Sequence, residues 1–138
     1  MIFLIEDIND NVFGCYINSK IDNYLYQDSE KKWKGEPIKD SNSYIFSIEN
    51  NGRSNEKQKY LIKEKRCKNA FTLFKKEHGI LFGIGGGYDI CIMKKNHRKQ
   101  CYCKPQSFNY QGNKSLLIGT KGKENLFEVK RIIAFEMN

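Results

Sequence analysis

The chain opens on two short apolar runs, Met1 to Glu6 and Val12 to Ile17, joined by Asp7-Ile8-Asn9-Asp10-Asn11. Asn and Asp tolerate the turn conformations that a hairpin needs, so this segment predicts a β-hairpin buried on both faces. From Asn18 to Asn42 the pattern turns polar and aperiodic, with Gly35 and Pro37 as breakers. A long ordered loop is expected there, pinned to the core by Tyr24, Tyr26 and Trp33.

Tyr44, Phe46 and Ile48 then alternate with Ile45 and Ser47 at the period of a strand, and Asn50-Asn51-Gly52 supplies a turn. Lys59 to Lys63 and Phe71 to Phe74 are shorter strand candidates. Ile80 to Phe82 leads into Gly83-Ile84-Gly85-Gly86-Gly87, after which Tyr88, Ile90 and Ile92 alternate with Asp89, Cys91 and Met93. A polar stretch from Lys94 to Asn125 is interrupted by Leu116-Leu117-Ile118. The last segment returns to alternation, with Phe127, Val129 and Phe135 expected on one face of a closing strand.

No internal repeat, heptad pattern or long amphipathic helix is legible. The expected fold class is therefore a β-dominated α+β domain over residues 1–138, with two antiparallel sheets packed as a sandwich and short peripheral helices. A 138-residue chain with 39% hydrophobic residues can bury a core without disulfides or metal. The five cysteines are odd in number and scattered, which fits free thiols in a reducing compartment better than a disulfide framework. The opening apolar run is too short for a signal core or a membrane span, so a cytoplasmic or nuclear location is expected.

Net charge is +8, which favours acidic partners. Arg53 to Lys68 holds seven Lys/Arg against Glu56 and Glu64, and Lys94 to Lys104 holds five with no acid. Both segments read as loops or exposed edges, and Lys94, Lys95, Arg98 and Lys99 are the candidate basic partner face.

The order of these features resembles a TLDc domain. The resemblance is carried by Asp7 with Asn11-Val12-Phe13-Gly14-Cys15-Tyr16-Ile17, then Tyr44-Ile45-Phe46-Ser47-Ile48, then Phe82-Gly83-Ile84-Gly85-Gly86-Gly87-Tyr88-Asp89-Ile90, and last Phe127-Glu128-Val129-Lys130-Arg131-Ile132 with Phe135-Glu136. Two departures stand out. The further segment with a Leu-x-Tyr-Ser-like strand that usually precedes the family's hairpin is not seen here, and Ile133 and Ala134 replace an acid and a valine. The resemblance implies a two-sheet sandwich in which Gly14, Gly83, Gly85, Gly86 and Asp89 are structural motif residues. It also implies a role in oxidative-stress protection and, in several members, binding to the vacuolar proton ATPase; no enzymatic activity and no cofactor are expected of this chain.

Gly83 to Gly87 invites phosphate binding, but that chemistry normally adds a helix N-terminus, and a strand is expected to follow here; a turn with positive φ is the reading adopted. Asp89 lacks a sequence-linked histidine, so it is expected to bond the turn backbone rather than act as a general acid. Cys91, His97, Cys101 and Cys103 are soft ligands, but their spacing matches no common structural zinc pattern, and no metal is expected. Cys101 and Cys103 are instead the candidate redox-sensitive pair, their pKa expected to be lowered by the lysines and arginine around them. An interaction module with a protein partner is the reading adopted, and a basic nucleic-acid-binding module is the alternative.

Overall fold

A computed structural model describes residues 1–21, 35–50, 57–111, 117–118 and 125–138. Among them are eleven strands: β1 (Ile2–Asp7), β2 (Asn11–Tyr16), β3 (Glu36–Ile38), β4 (Tyr44–Asn50), β5 (Gln58–Leu61), β6 (Phe71–Leu73), β7 (Ile80–Ile84), β8 (Ile90–Met93), β9 (Cys101–Cys103), β10 (Leu126–Phe127) and β11 (Val129–Phe135). They form two antiparallel sheets, ordered β11-β1-β2-β4-β5 and β10-β9-β8-β7-β6-β3. Two short 3-10 segments, Glu64–Asn69 and Lys95–Gln100, lie outside the sheets, the second kinked at His97.

The core lies between the sheets. Phe3 of β1 stacks on Phe71 of β6 at 5.1 Å between centroids and lies 5.0 Å from Phe82 of β7. Phe13 of β2 meets Phe127 of β10 edge-on at 5.4 Å. Such aromatic pairs contribute beyond their buried area and fix the relative position of the two layers.

The first hairpin forms where the polar turn predicts it, with Asp7 as its anchor. Its Oδ1 accepts from the Asn9 and Asn11 amides at 2.9 and 3.0 Å, and its Oδ2 accepts from Asn11 Nδ2 at 2.7 Å. Burial of β1 on both faces is not found. Phe3, Ile5 and Asp7 are buried, whereas Ile2, Leu4 and Glu6 are only partly covered. In β4 the alternation is present, and it is Ile45 and Ser47 that point inward, while Ile48 is exposed.

The loop expected over Asn18 to Asn42 contains β3, which pairs with β6 at the edge of the second sheet. An edge strand tolerates Pro37 because one of its sides needs no ladder hydrogen bond. Asp40 ties down both ends of that region: its carboxylate accepts from the Asn18, Ser19 and Asn42 amides. Tyr24, Tyr26 and Trp33, expected to pin it, lie outside the described residues, as do Arg53 and Glu56 of the first basic stretch.

The single C-terminal strand expected across Phe127 to Phe135 is two strands in different sheets. β10 pairs with β9 and β11 pairs with β1, so the chain crosses between layers at Glu128. Phe127 is drawn into the core by Phe13, and the Glu128 carbonyl accepts from the Ile8 amide at 3.0 Å. A register shift at Glu6/Asp7 leaves Lys130 as the extra residue opposite β1 and breaks the simple alternation. Val129 and Ile132 therefore face the core, and Phe135 is 48% exposed.

Candidate functional site

The glycine run forms the end of β7 and the turn into β8. Gly85 takes a φ of +86°, and a Cβ there would stand 2.3 Å from Asp89 Oδ1. Both facts restrict the position to glycine. Its amide donates to the Ala70 carbonyl at 2.8 Å, which joins the turn to the end of the 64–69 helix.

Asp89, fully buried, reaches past its own turn. Its Oδ2 accepts from the Gln106 and Ser107 amides, both at 2.7 Å, and from the Tyr110 hydroxyl at 2.8 Å. The Asp89 carbonyl takes the Lys104 amide at 2.8 Å. The expectation of an acid bonding the glycine turn is thus corrected: the carboxylate organises a segment far along the chain. Ser107 completes the connection by accepting the Gly86 amide on its Oγ at 2.9 Å and the Lys63 amide on its carbonyl at 2.9 Å. Burial, and then the charge and hydrogen bond of Asp89, push the Tyr110 hydroxyl far above its ordinary pKa.

These bonds from Asp89 to residues 106–110 form a clamp, and two adjoining clefts share residues of the segment it holds. One, of about 610 Å³, is lined by Lys63, Pro105, Gln106, Phe108, Asn109 and Tyr110 among others. The other, of about 430 Å³, is lined by Lys63, Glu64, Lys65, Arg66, Gln106 and Asn109. Lys63, Gln106 and Asn109 are shared, so together they read as one groove. Lys63 Nζ donates to the Gln106 carbonyl at 2.8 Å. None of Lys63, Lys65 and Arg66 is paired with a carboxylate among the described residues. Aromatic undersides, carboxamide donors and acceptors, and exposed cations suit an extended acidic ligand.

The TLDc domain family model matches residues 1–134 of the chain. The chain belongs to the TLDc domain family. No curated protein and no solved structure matches it.

Within this TLDc domain two of the remaining motif glycines, Gly14 and Gly83, sit where close approach is needed, whereas Gly86 has room for a Cβ. A Cβ at Gly14 would stand 2.0 Å from the Phe3 carbonyl oxygen, so β1 and β2 could not keep their pairing with any larger residue there. Gly83 lies under the Tyr88 ring, and Gly86 faces Ser107.

The cysteine expectation needs correction. Cys101 and Cys103 point into the core from β9 and are buried, as are Cys15, Cys67 and Cys91. Burial raises the Cys101 thiol above its ordinary value. Burial followed by the charges of Asp7 and Asp89 raises Cys103 well above it, and Cys91 is pushed up to about 11, chiefly by burial. The basic residues adjacent in sequence do not lower these values: β9 turns the thiols into the core, while Lys94, Lys95, Arg98 and Lys99 lie on or beside the preceding 95–100 segment.

The predicted basic face is partly consumed by the fold. Lys94 Nζ donates to the Lys75 and Lys76 carbonyls, and Arg98 Nε pairs with Glu128 at 2.9 Å. Lys95 and Lys99 remain exposed on the kinked 95–100 segment. In the sequence the cations of the 63–66 groove stand out as a charge run only. Their groove depends on the link from Asp89 to residues 106–110, for which the sequence carries no local signal.

Proposed function

We propose that the chain is a non-enzymatic interaction module that takes an acidic protein segment in the groove formed by Lys63, Lys65, Arg66, Gln106 and Asn109. The carrying observation is a cluster of exposed cations, Lys65 and Arg66 beside the carbonyl-bound Lys63, that outnumber Glu64 and form no ion pair with a carboxylate among the described residues, next to amide side chains on a firmly held loop. A non-catalytic role is supported by the use made of Asp89, whose Oδ2 is committed to two backbone amides and one hydroxyl. His78 is similarly occupied, since its Nδ1 accepts the Ile80 amide at 3.1 Å.

On the strength of the family resemblance, the partner to test first is the vacuolar proton ATPase, in the setting of the oxidative-stress response. The test compares wild type with Lys63→Glu/Lys65→Glu/Arg66→Glu and, separately, Lys95→Glu/Lys99→Glu for retention on purified ATPase at low and high salt. The expected result is salt-sensitive retention that the groove triple variant loses, because rim charges steer association and are screened by salt. Retention that is unaffected by the triple variant removes the groove from the proposal. Salt-steep binding to an arbitrary oligonucleotide, with none to the ATPase, transfers it to nucleic acid.

A further inference from the structure

The five-stranded sheet ends on β11, which pairs with β1 on one side; no described strand pairs with its other side. An open edge of this length presents unpaired backbone donors and acceptors, and proteins usually guard such edges with charge. Here the guard covers only the first part. Lys130 pairs with Glu6 and Asp10 at 2.8 and 3.3 Å and Arg131 with Glu6 at 2.6 Å, which holds both cations back toward the first hairpin. Ile132-Ile133-Ala134-Phe135 follows without a charge until Glu136.

The strand is also complementary to itself. In an antiparallel pairing of two β11 strands with Ile133 opposite Ile133 on a twofold axis, Ile132 meets Ala134, Arg131 meets Phe135, and Glu136 arrives beside Lys130 and Arg131. The faces agree as well. Ile132 packs toward the core, while Arg131, Ile133 and Phe135 stand opposite Glu6, Leu4 and Ile2 on the outer side of β1. On that outer side Phe135, Ile2, Tyr16, Tyr44 and Leu61 already form one apolar row across all five strands, with Tyr16 and Tyr44 stacked at 5.0 Å. Pairing at β11 sets the end of that row, Phe135, against the aliphatic stem of Arg131 in the second copy, on either side of the Ile133 pair.

We propose that β11 is a self-association edge, through which a second copy of this chain extends the five-stranded sheet into a ten-stranded one. The surface is separate from the basic groove, and the proposal does not rest on it. An edge contact of one strand buries less than a standard interface, so dissociation in the micromolar range, about 1–100 µM, is expected.

Sedimentation velocity of the purified chain from about 1 to 200 µM reads this directly, with a concentration-dependent dimer expected over the range set by that affinity. Ile133→Lys, which sets two ammonium groups face to face on the axis, leaves a monomer with unchanged far-ultraviolet circular dichroism. Glu136→Lys lies on an exposed residue and keeps the test valid if the first variant misfolds; it turns two symmetric attractions into repulsions and weakens the dimer about tenfold or more. The register is checked by Ile133→Cys, which oxidises to a covalent dimer against a low background because the five native thiols are buried. A chain monomeric at every concentration overturns the proposal. So does a dimer indifferent to Glu136→Lys, or one that cross-links through Leu61→Cys on the opposite edge rather than through Ile133→Cys.

Discussion

Replacing Asp89 by alanine separates a structural acid from a catalytic one. The carboxylate holds three donors through one oxygen, at 2.7, 2.7 and 2.8 Å, and its removal leaves the Gln106 and Ser107 amides and the Tyr110 hydroxyl without that acceptor. Hydrogen bonds to a charged group contribute about 1.5–3 kcal/mol each, and orphaned buried donors carry a further desolvation cost. The three are coupled through one atom, and Gln106 is only half-buried, so water can recover part of the loss. The net expectation is about 3–5 kcal/mol. Against a total of about 5–15 kcal/mol for a domain, that is a large share. With a urea m-value of about 2 kcal/mol/M, the midpoint falls by about 2 M. Asp89→Asn keeps one acceptor oxygen and is expected to cost about 1–2 kcal/mol. Amide hydrogen exchange adds a local readout, because Gln106 and Ser107 lose protection in the alanine variant before β1 and β2 do. An alanine variant within about 1 kcal/mol of wild type would refute the clamp.

Gly85→Ala places a side chain at a φ of +86° and against Asp89 Oδ1, and should destabilise by about 2–4 kcal/mol in the same denaturation assay. Glu6, whose pKa is lowered chiefly by its hydrogen bond to Lys130, contributes stability that is present above the ordinary carboxylate range and lost as pH falls through its depressed folded value. Wild type and Glu6→Gln should therefore differ in melting temperature at neutral pH and converge in acid. The raised thiol values of Cys91, Cys101 and Cys103 act in the opposite direction. Their stabilising effect is present below the unfolded-state thiol value near 8.5 and declines as pH rises above it, because only the unfolded chain then releases those protons. A thiol reagent at mildly alkaline pH should label the native chain slowly and the denatured chain at once, and rapid native labelling of Cys101 and Cys103 would restore the view of them as activated thiols.

What was legible in the sequence tracks how local the governing interaction is. The first hairpin could be read because its turn acid, Asp7, bonds residues two and four positions away. β4 shows its alternation within a few residues, β8 shows as the apolar run Ile90–Met93 that is buried on both faces, and the two-sheet class followed from the succession of such strands. β3 and β9 were hidden because each is a three-residue strand set in a polar stretch, whereas β6, equally short, is marked by the apolar Phe71, Leu73 and Phe74. The division of the last strand was hidden for a different reason: Phe127 and Val129 are both apolar, and the crossing at Glu128 is decided by Phe13 and Ile8 in another part of the chain.

The same rule orders the candidate site. Sequence alone marked Asp89 and the glycines, but the donors that occupy Asp89 lie 17 to 21 residues beyond it, where nothing in the pattern points back. Positive charge was visible as a run, whereas its availability was not. Lys94 and Arg98 belong to the same run as Lys95 and Lys99, yet the fold uses the first two to bind the 75–76 carbonyls and Glu128. The cysteines went wrong by the same route, since β9 carries the thiols into the core while their basic neighbours in sequence lie on or beside the 95–100 segment outside it. In a sheet with period two, adjacency along the chain places neighbours on opposite faces. Charge and thiol chemistry inferred from adjacent residues is therefore least reliable in strands, and inference across alternate residues and paired registers, the basis of the β11 edge proposal, is better matched to this fold.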